Sequence, residues 1–220
     1  MKFLVFLGTV RDSTPPRPAR LGLRVAKAIL NWAKSNMAEH EFELIDPLDY
    51  PTGEVFKPHF SYAQRQAPEA LSSLAEKIES ADGYVMVSPE YNHSMSPALA
   101  NLLNHFGSSL YSFKPSVIAT YSAGQWGGMR AAVGMRTFLS ELGCLPVSAM
   151  MHVPRAQDEF DDEGYASSEK EDSWQSYIGR ALNQMLWWAE AATRHRQEKD
   201  PFETSKAFTK APSQRNVIEN

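Results

Sequence analysis

The sequence predicts a doubly wound α/β fold, one parallel sheet of five strands with helices on both faces. Three observations predict it. Short apolar runs alternate along the chain with longer segments whose apolar residues recur at helical spacing. The short runs are continuously apolar, the pattern of strands buried on both faces and so of a parallel sheet. Three of them end in loops of unusual composition, after Gly8, after Ser88 and after Tyr121.

The elements follow in order. Lys2 to Leu7, closed by Gly8, is the first strand; it is too short for a secretory signal peptide and lacks a small-residue cleavage site. The proline-rich stretch Ser13 to Pro18 cannot be helical. Leu21, Val25, Ile29 and Trp32 then place a first helix from about Arg20 to Met37. Phe42 to Asp46 is a short second strand, and Pro47 to Gln66 a loop rich in aromatics and prolines. Pro68 opens a second helix on which Leu71, Leu74 and Ile78 face inward. Gly83 to Ser88 is the third strand. Ser96 caps a third helix, with Pro97 at its first position and Leu99, Leu102, Leu103 and Phe106 as its apolar stripe.

Ser116 to Tyr121 is the fourth strand, Met129 to Leu142 the fourth helix, closed by Gly143, and Leu145 to Val153 the fifth strand. Asp158 to Asp172 carries eight acids against one lysine and reads as a solvated loop. Trp174, Ile178, Leu182, Met185 and Ala189 repeat every three or four positions, so a long last helix spans Ser173 to Arg196. The adjacent Trp187 and Trp188 cannot both lie on that stripe, which assigns them to the core and to a subunit contact. Residues 1–197 form one domain, and 198–220 are a polar tail. Right-handed crossovers make this β-α repeat a flavodoxin-like sheet of strand order 2-1-3-4-5, with its switch point between the first and third strands. Ligands of such sheets bind there, at the carboxyl ends of the strands.

Composition narrows the function. A chain of 220 residues, 43% of them hydrophobic, suits one large domain. A net charge of -4 makes no electrostatic case for nucleic acid or an anionic membrane as partner. No apolar run approaches the roughly 20 residues that cross a bilayer. The single cysteine, Cys144, excludes an internal disulfide, suits a buried apolar position and fits a reducing cytoplasm. The six histidines lack metal-ligand spacing, so no metal site is expected, and the Gly-x-Ser-x-Gly elbow of hydrolases is absent.

The three strand-end loops carry the chemistry. Gly8-Thr9-Val10-Arg11 leads to a helix opening at Arg20-Leu21-Gly22-Leu23-Arg24, and positions 11 to 24 hold four arginines against one acid, Asp12. Helix N-termini attract anions through unpaired N–H groups and the helix dipole, and arginines add charge-assisted hydrogen bonds. The loop matches neither the dinucleotide fingerprint nor the triphosphate loop and suits a terminal monophosphate. Its candidate ligands are Thr9, Arg11, Ser13, Arg17, Arg20, Leu21 and Gly22; the competing reading, a solvated arginine face, is disfavoured by the strand-loop-helix setting. In the second loop, Pro89-Glu90-Tyr91-Asn92, Pro89 stiffens the backbone while Tyr91 offers an aromatic face and Asn92 an amide. The neighbouring His93 reads as a surface or capping residue. In the third loop, Ser122-Ala123-Gly124-Gln125-Trp126-Gly127-Gly128, the glycines permit close backbone approach, and N–H groups there suit the carbonyls of an isoalloxazine ring. Together the loops outline a flavin site, with no protein side chain assigned a catalytic role.

These residues resemble a family. Gly8 to Arg11, Arg20 to Ala26, Pro89 to Asn92 and Ser122 to Gly128 are similar to the matching segments of the NAD(P)H-dependent FMN reductases, a flavodoxin-like group that includes bacterial chromate and quinone reductases and fungal relatives. The resemblance covers roughly residues 1 to 195. Thr9 stands where the family usually has serine, and the family lacks most of the insert from Asp12 to Ala19. The resemblance implies FMN, its phosphate on Thr9, Arg11 and Arg20 and its ring on Pro89 to Asn92 and against Ser122 to Gly124. It also implies NADPH or NADH as co-substrate, delivering a hydride that passes by ping-pong exchange to a quinone, free flavin, azo or nitro compound or metal oxyanion. A homodimer, or a tetramer of dimers, is implied as well. The alternatives are a non-enzymatic electron carrier of flavodoxin type and a flavin-dependent redox sensor. A carrier calls for a strongly acidic face, whereas the acids here concentrate in one late loop.

Overall fold

The computed structural model describes residues 1–11, 20–63 and 66–203. Five segments build the sheet and its first crossovers: β1 (Lys2–Leu7), α1 (Leu21–Asn36), β2 (Glu41–Ile45), α2 (Glu69–Ser80) and β3 (Gly83–Tyr91). A short β4 (Ser94–Met95) precedes α3 (Pro97–Asn104) and α4 (Ser108–Tyr111), and then β5 (Pro115–Tyr121) and α5 (Met129–Glu141). The chain closes with β6 (Leu145–Pro146), β7 (Met151–Val153), α6 (Ala156–Glu159) and α7 (Glu171–Glu198). From Thr204 onward the expected polar tail lies outside the described residues.

The main strands run parallel in the order β2-β1-β3-β5-β6, and β7 pairs with β5 further along. With β5 as the fourth strand and β6 with β7 as the fifth, this is the expected order 2-1-3-4-5. The fifth strand is interrupted, and the reason is local. Pro146 has no N–H to give the ladder, and three residues on, the N–H of Ala149 bonds the side chain of Gln184 on α7 at 2.7 Å.

The third strand departs from expectation in the other direction. It runs three residues past Ser88, through Pro89, Glu90 and Tyr91, and folds back onto β4 with Glu90 opposite Met95 and Tyr91 opposite Ser94. Asn92 and His93 make the two-residue turn, with φ of 49° and 62°. Positive φ at both central positions is the type I′ geometry that matches strand twist, and Asn tolerates it well. The stretch expected to be a turn is thus a projecting hairpin. The helix after it starts as expected, since the Ser96 hydroxyl accepts the N–H of Leu99 at 3.1 Å with Pro97 next in line.

Alternation along the strands divides the core. Phe3, Val5 and Leu7 face a layer formed by α1, α6 and α7. Leu4 and Phe6 face the layer of α2, α3, α4 and α5. The acidic loop is largely solvated as expected, with Asp158, Asp161, Asp162, Glu163, Glu169 and Asp172 exposed, but it is anchored. Glu159 is 8% exposed and bonds Lys170 at 2.8 Å and the Trp174 indole at 3.0 Å, while Arg24 and Lys27 of α1 pair with the exposed Asp162 and Glu163. The basic face of α1 supplies the partners. Trp187 and Trp188 are both on the surface, 61% and 39% exposed, so neither belongs to the core.

Two imidazoles are withdrawn from water. His105 has one ring nitrogen 3.1 Å from the Lys57 carbonyl and the other buried without a partner among the described residues. His152 on β7 lies 2.8 Å from the Thr120 hydroxyl. Burial is the main cause that lowers the pKa of each below the ordinary histidine value. The unfolded chain takes up these protons near pH 6.5 while the folded chain resists, so this stabilisation is complete above that pH and is lost on acidification through the lowered folded values. We expect a lower urea midpoint at about pH 5.5 than at about pH 7.5, and a shallower pH dependence in His105→Asn and His152→Asn.

Candidate functional site

The carboxyl ends of β1, β3 and β5 meet at one rim. The Gly8 N–H donates to the Val87 carbonyl at 2.7 Å, and a Cβ on Gly8 would sit 2.5 Å from that oxygen, so only glycine lets β1 end so close to β3. Pro89 lies opposite Tyr121 in the ladder, which carries the end of β3 to the end of β5. All three loops singled out in the sequence therefore open on the same side.

The first loop is anchored more firmly than its composition suggested. The helix α1 has no side-chain N-cap and no acid in its first turn, and the N–H groups of Leu21 and Gly22 are unpaired among the described residues. That is the condition for holding an anion. Arg11 is exposed, its backbone N–H on the Thr9 hydroxyl at 3.2 Å. Arg20 is not exposed. Its guanidinium grips Asp46, just past β2, through bonds of 2.6 Å and 3.0 Å, and also donates to the Thr9 carbonyl. Its Nε is buried with no partner among the described residues. Arg20 thus holds the loop's shape, with Asp46 neutralising its charge, and Arg11 presents a cation to solvent. Gly22 is required by packing, since a Cβ there would collide with the Tyr121 hydroxyl and lie 2.9 Å from the Thr9 methyl. Tyr121 itself is buried, and desolvation foremost pushes its ionisation up, well beyond the ordinary phenol range. Ser13 and Arg17 lie outside the described residues.

In the hairpin, Pro89 is buried and Tyr91 is 43% exposed, its ring available on the rim. Asn92 and His93 are exposed turn residues. Glu90 has a different task. Its carboxylate accepts the N–H groups of Arg130 and Ala131 at 3.2 Å and 3.4 Å and binds the Arg130 side chain at 2.8 Å. Helix α5 begins after Gly128 without a side-chain cap of its own, so Glu90 supplies one from another strand.

The glycine turn is braced from beneath. The carbonyls of Ser122, Ala123 and Gly124 accept from the Ala156 N–H, the Gln157 side chain and the Arg155 N–H at 3.0 Å, 3.1 Å and 2.9 Å. The Ser122 hydroxyl donates to the Gly124 carbonyl and accepts the Gly127 N–H, folding the turn on itself. With the carbonyls occupied, the exposed residues Ala123, Gly124 and Gln125 have N–H groups that are unpaired among the described residues. Gly127 and Gly128 have φ of 59° and 76°, and a Cβ on Gly128 would press on Thr120 at 2.8 Å. The Thr120 hydroxyl donates to the Gly127 carbonyl at 2.7 Å, so it accepts from His152 Nδ1, which fixes that tautomer.

The arrangement offers an anion-binding helix start, a cation, an aromatic face and a row of unpaired N–H groups on one rim. A flat, hydrogen-bonding ring carrying a single phosphate fits this donor set. A family model described as NADPH-dependent FMN reductase matches residues 1–158. The chain belongs to that family.

The relatives agree. The NADPH azoreductase of a Bacillus strain is 36% identical over 72 residues, 33% of this chain and 40% of that protein. The NAD(P)H-dependent FMN reductase of Pseudomonas aeruginosa is 32% identical over 107 residues, 47% and 58% of the two chains. With these two, the match thus spans only about half of the relative's length. A quinone reductase of Pseudomonas putida is 27% identical over 183 residues, 80% of this chain and 90% of that one. Among solved structures, the flavoenzyme NAD(P)H:(acceptor) oxidoreductase FerB from Paracoccus denitrificans superposes with a TM-score of 0.64 at 19% identity, covering 84% of this chain and 97% of its own. An oxidoreductase from Corynebacterium diphtheriae gives the same TM-score at 14% identity, covering 86% and 97%. These superpositions place the fold among flavodoxin-like proteins.

Reading the sequence missed Asp46, Tyr121, His152 and the brace from Arg155 to Gln157. Asp46 and Tyr121 had a signal available, since both stand at the carboxyl end of a strand. Glu90→Ala is expected to lower folding stability by about 1–2 kcal/mol, the scale of a lost helix cap, with Glu90→Gln costing less. Urea unfolding of the three proteins checks this, and equal midpoints would remove Glu90 from the capping role.

Proposed function

We propose that the chain is an oxidoreductase that binds one FMN on this rim and passes reducing equivalents from NADPH or NADH to a small acceptor. The observation that carries the reading is the meeting of an uncapped helix start beside Arg11 with three unpaired N–H groups at Ala123, Gly124 and Gln125. Bound FMN supplies the redox chemistry, accepting a hydride and handing the electrons on. The phosphate is assigned to Thr9, Arg11 and the N–H groups of Leu21 and Gly22, with Ser13 and Arg17 as further candidates. Arg20 shapes that loop from its pair with Asp46. Ala123, Gly124 and Gln125 orient the ring through backbone N–H groups, braced by Ser122, Gly127 and Gly128. Tyr91, supported by Pro89 and by the cap that Glu90 makes, covers one face beside Asn92.

Quinones and azo compounds are the acceptor classes we favour, supported by the names of the relatives. The carrier reading is weaker, because Asp46 and Glu90, at the ends of β2 and β3, are both ion-paired and form no acidic docking face. A cytoplasmic site is supported by the lone, buried Cys144.

Arg11→Ala should weaken FMN about tenfold, the low end for hydrogen bonds to a charged group, and leave riboflavin unchanged. Flavin fluorescence titration reads both, and an equal loss with riboflavin would make Arg11 structural. Wild-type protein with FMN should also oxidise NADPH continuously when a quinone is supplied; one stoichiometric turnover would favour the carrier.

A homodimer, or a pair of dimers, is the assembly we favour, since Tyr91, Trp126 and Met129 are exposed around the rim. Sedimentation of the FMN-loaded protein should give about twice or four times the 24.7 kDa chain mass, and an active monomer would contradict it.

A further inference from the structure

A second cavity opens at the other end of the sheet. It is an apolar groove of about 700 Å³, within the size range of small-molecule sites. Pro115 at the start of β5 and Leu145 at the start of β6, partners in the ladder, form its floor with Phe113 and Cys144. Trp188 and the small residues Ala191 and Ala192, on the last turns of α7, form a wall. At about 3.3 Å per strand residue, Pro115 lies about 20 Å from Tyr121. The groove is therefore separate from the candidate flavin rim.

The lining defines what would fill it. Leu145 and Trp188 are exposed large apolar side chains gathered in one concave surface, where water is a poor occupant, and Phe113, its ring against Phe202 at 5.6 Å, adjoins them. The titratable and charged groups at its mouth, His195, Arg196 and Lys199, are all basic, and no lining residue is an acid. They are engaged to different degrees. Arg196 bonds the Phe113 carbonyl, Thr193 and Asp82, and His195 has Glu198 at 3.9 Å. Lys199 has no acidic partner among the described residues. An apolar body with one negative end meets both conditions, chain against Trp188 and Leu145 and charge against Lys199.

We propose that this groove binds an amphipathic monoanion of the medium-chain carboxylate class. The site stands independently of the flavin reading, and it needs no chemistry beyond binding.

The test is a calorimetric titration of the full-length protein with decanoate, and with decanol as the uncharged control. Decanoate should bind saturably, with decanol about tenfold weaker. Lys199→Glu should abolish the preference for the carboxylate, and Trp188→Ala should weaken both ligands about tenfold while leaving FMN binding unchanged. Absence of saturable binding overturns the proposal, as does equal affinity for acid and alcohol. So does decanoate binding that Trp188→Ala leaves intact, which would lie elsewhere. Binding that appears only after residues 204–220 are deleted would show the groove filled by the protein's own chain, and would overturn it too.

Discussion

Because β1, β5 and β3 up to Val87 are covered by helices on both faces, the apolar side chains along them are committed to one of two dry layers. Apart from the buried Ser88, Ser116, Thr120 and the Tyr84 hydroxyl, the strand interiors are apolar, so water and ligands meet these strands at their ends. The close approach of Gly8 to Val87 sets how near two of those ends lie. From that spacing follow the position of α1 over Tyr121 and the requirement for glycine at position 22.

The rim is then shaped by carboxylates turned to structural ends. Asp46 holds Arg20, and Glu90 holds Arg130 together with the start of α5. In each pair the carboxylate is largely withdrawn from solvent, where removing one partner would strand a charge. The consequence is rigidity in the loops that a ligand would meet. Preformed donors need no reorganisation on binding, which suits a cofactor that must be held while substrates exchange.

The two ends of the sheet differ in kind. The rim is polar, with unpaired N–H groups and exposed Arg11, Arg130 and Arg155, while the opposite end is apolar with basic residues in its lining. The difference follows from which ends carry loops. Helix starts and glycine turns gather at the carboxyl ends, whereas at the amino ends of β5 and β6 the long α7 lays its last turns beside Pro115 and Leu145, with Pro201 in the same lining and Phe202 against Phe113.

The sequence by itself determined the strands and helices, their order and the three loops, because buried strands and amphipathic helices write their periods directly into residue order. Family membership was legible for the same reason, in contiguous segments such as Pro89 to Asn92. Tertiary structure decided the rest. Pro89, Glu90 and Tyr91 read as a turn, since proline and polar residues are rare in a buried strand, yet they extend β3 beyond the sheet's edge into a hairpin where burial no longer applies. Arg20 reads as a phosphate ligand, and nothing local shows that Asp46, 26 residues away, holds it. Glu90 reads as a ring contact, and nothing local shows that Arg130, 40 residues away, lies against it. The acidic loop reads as solvated and largely is, but only the fold shows Arg24 and Lys27 of α1 paired with its Asp162 and Glu163. The last three are pairings of charges distant in sequence, and local pattern carries no record of which opposite charge the fold will bring within 3 Å.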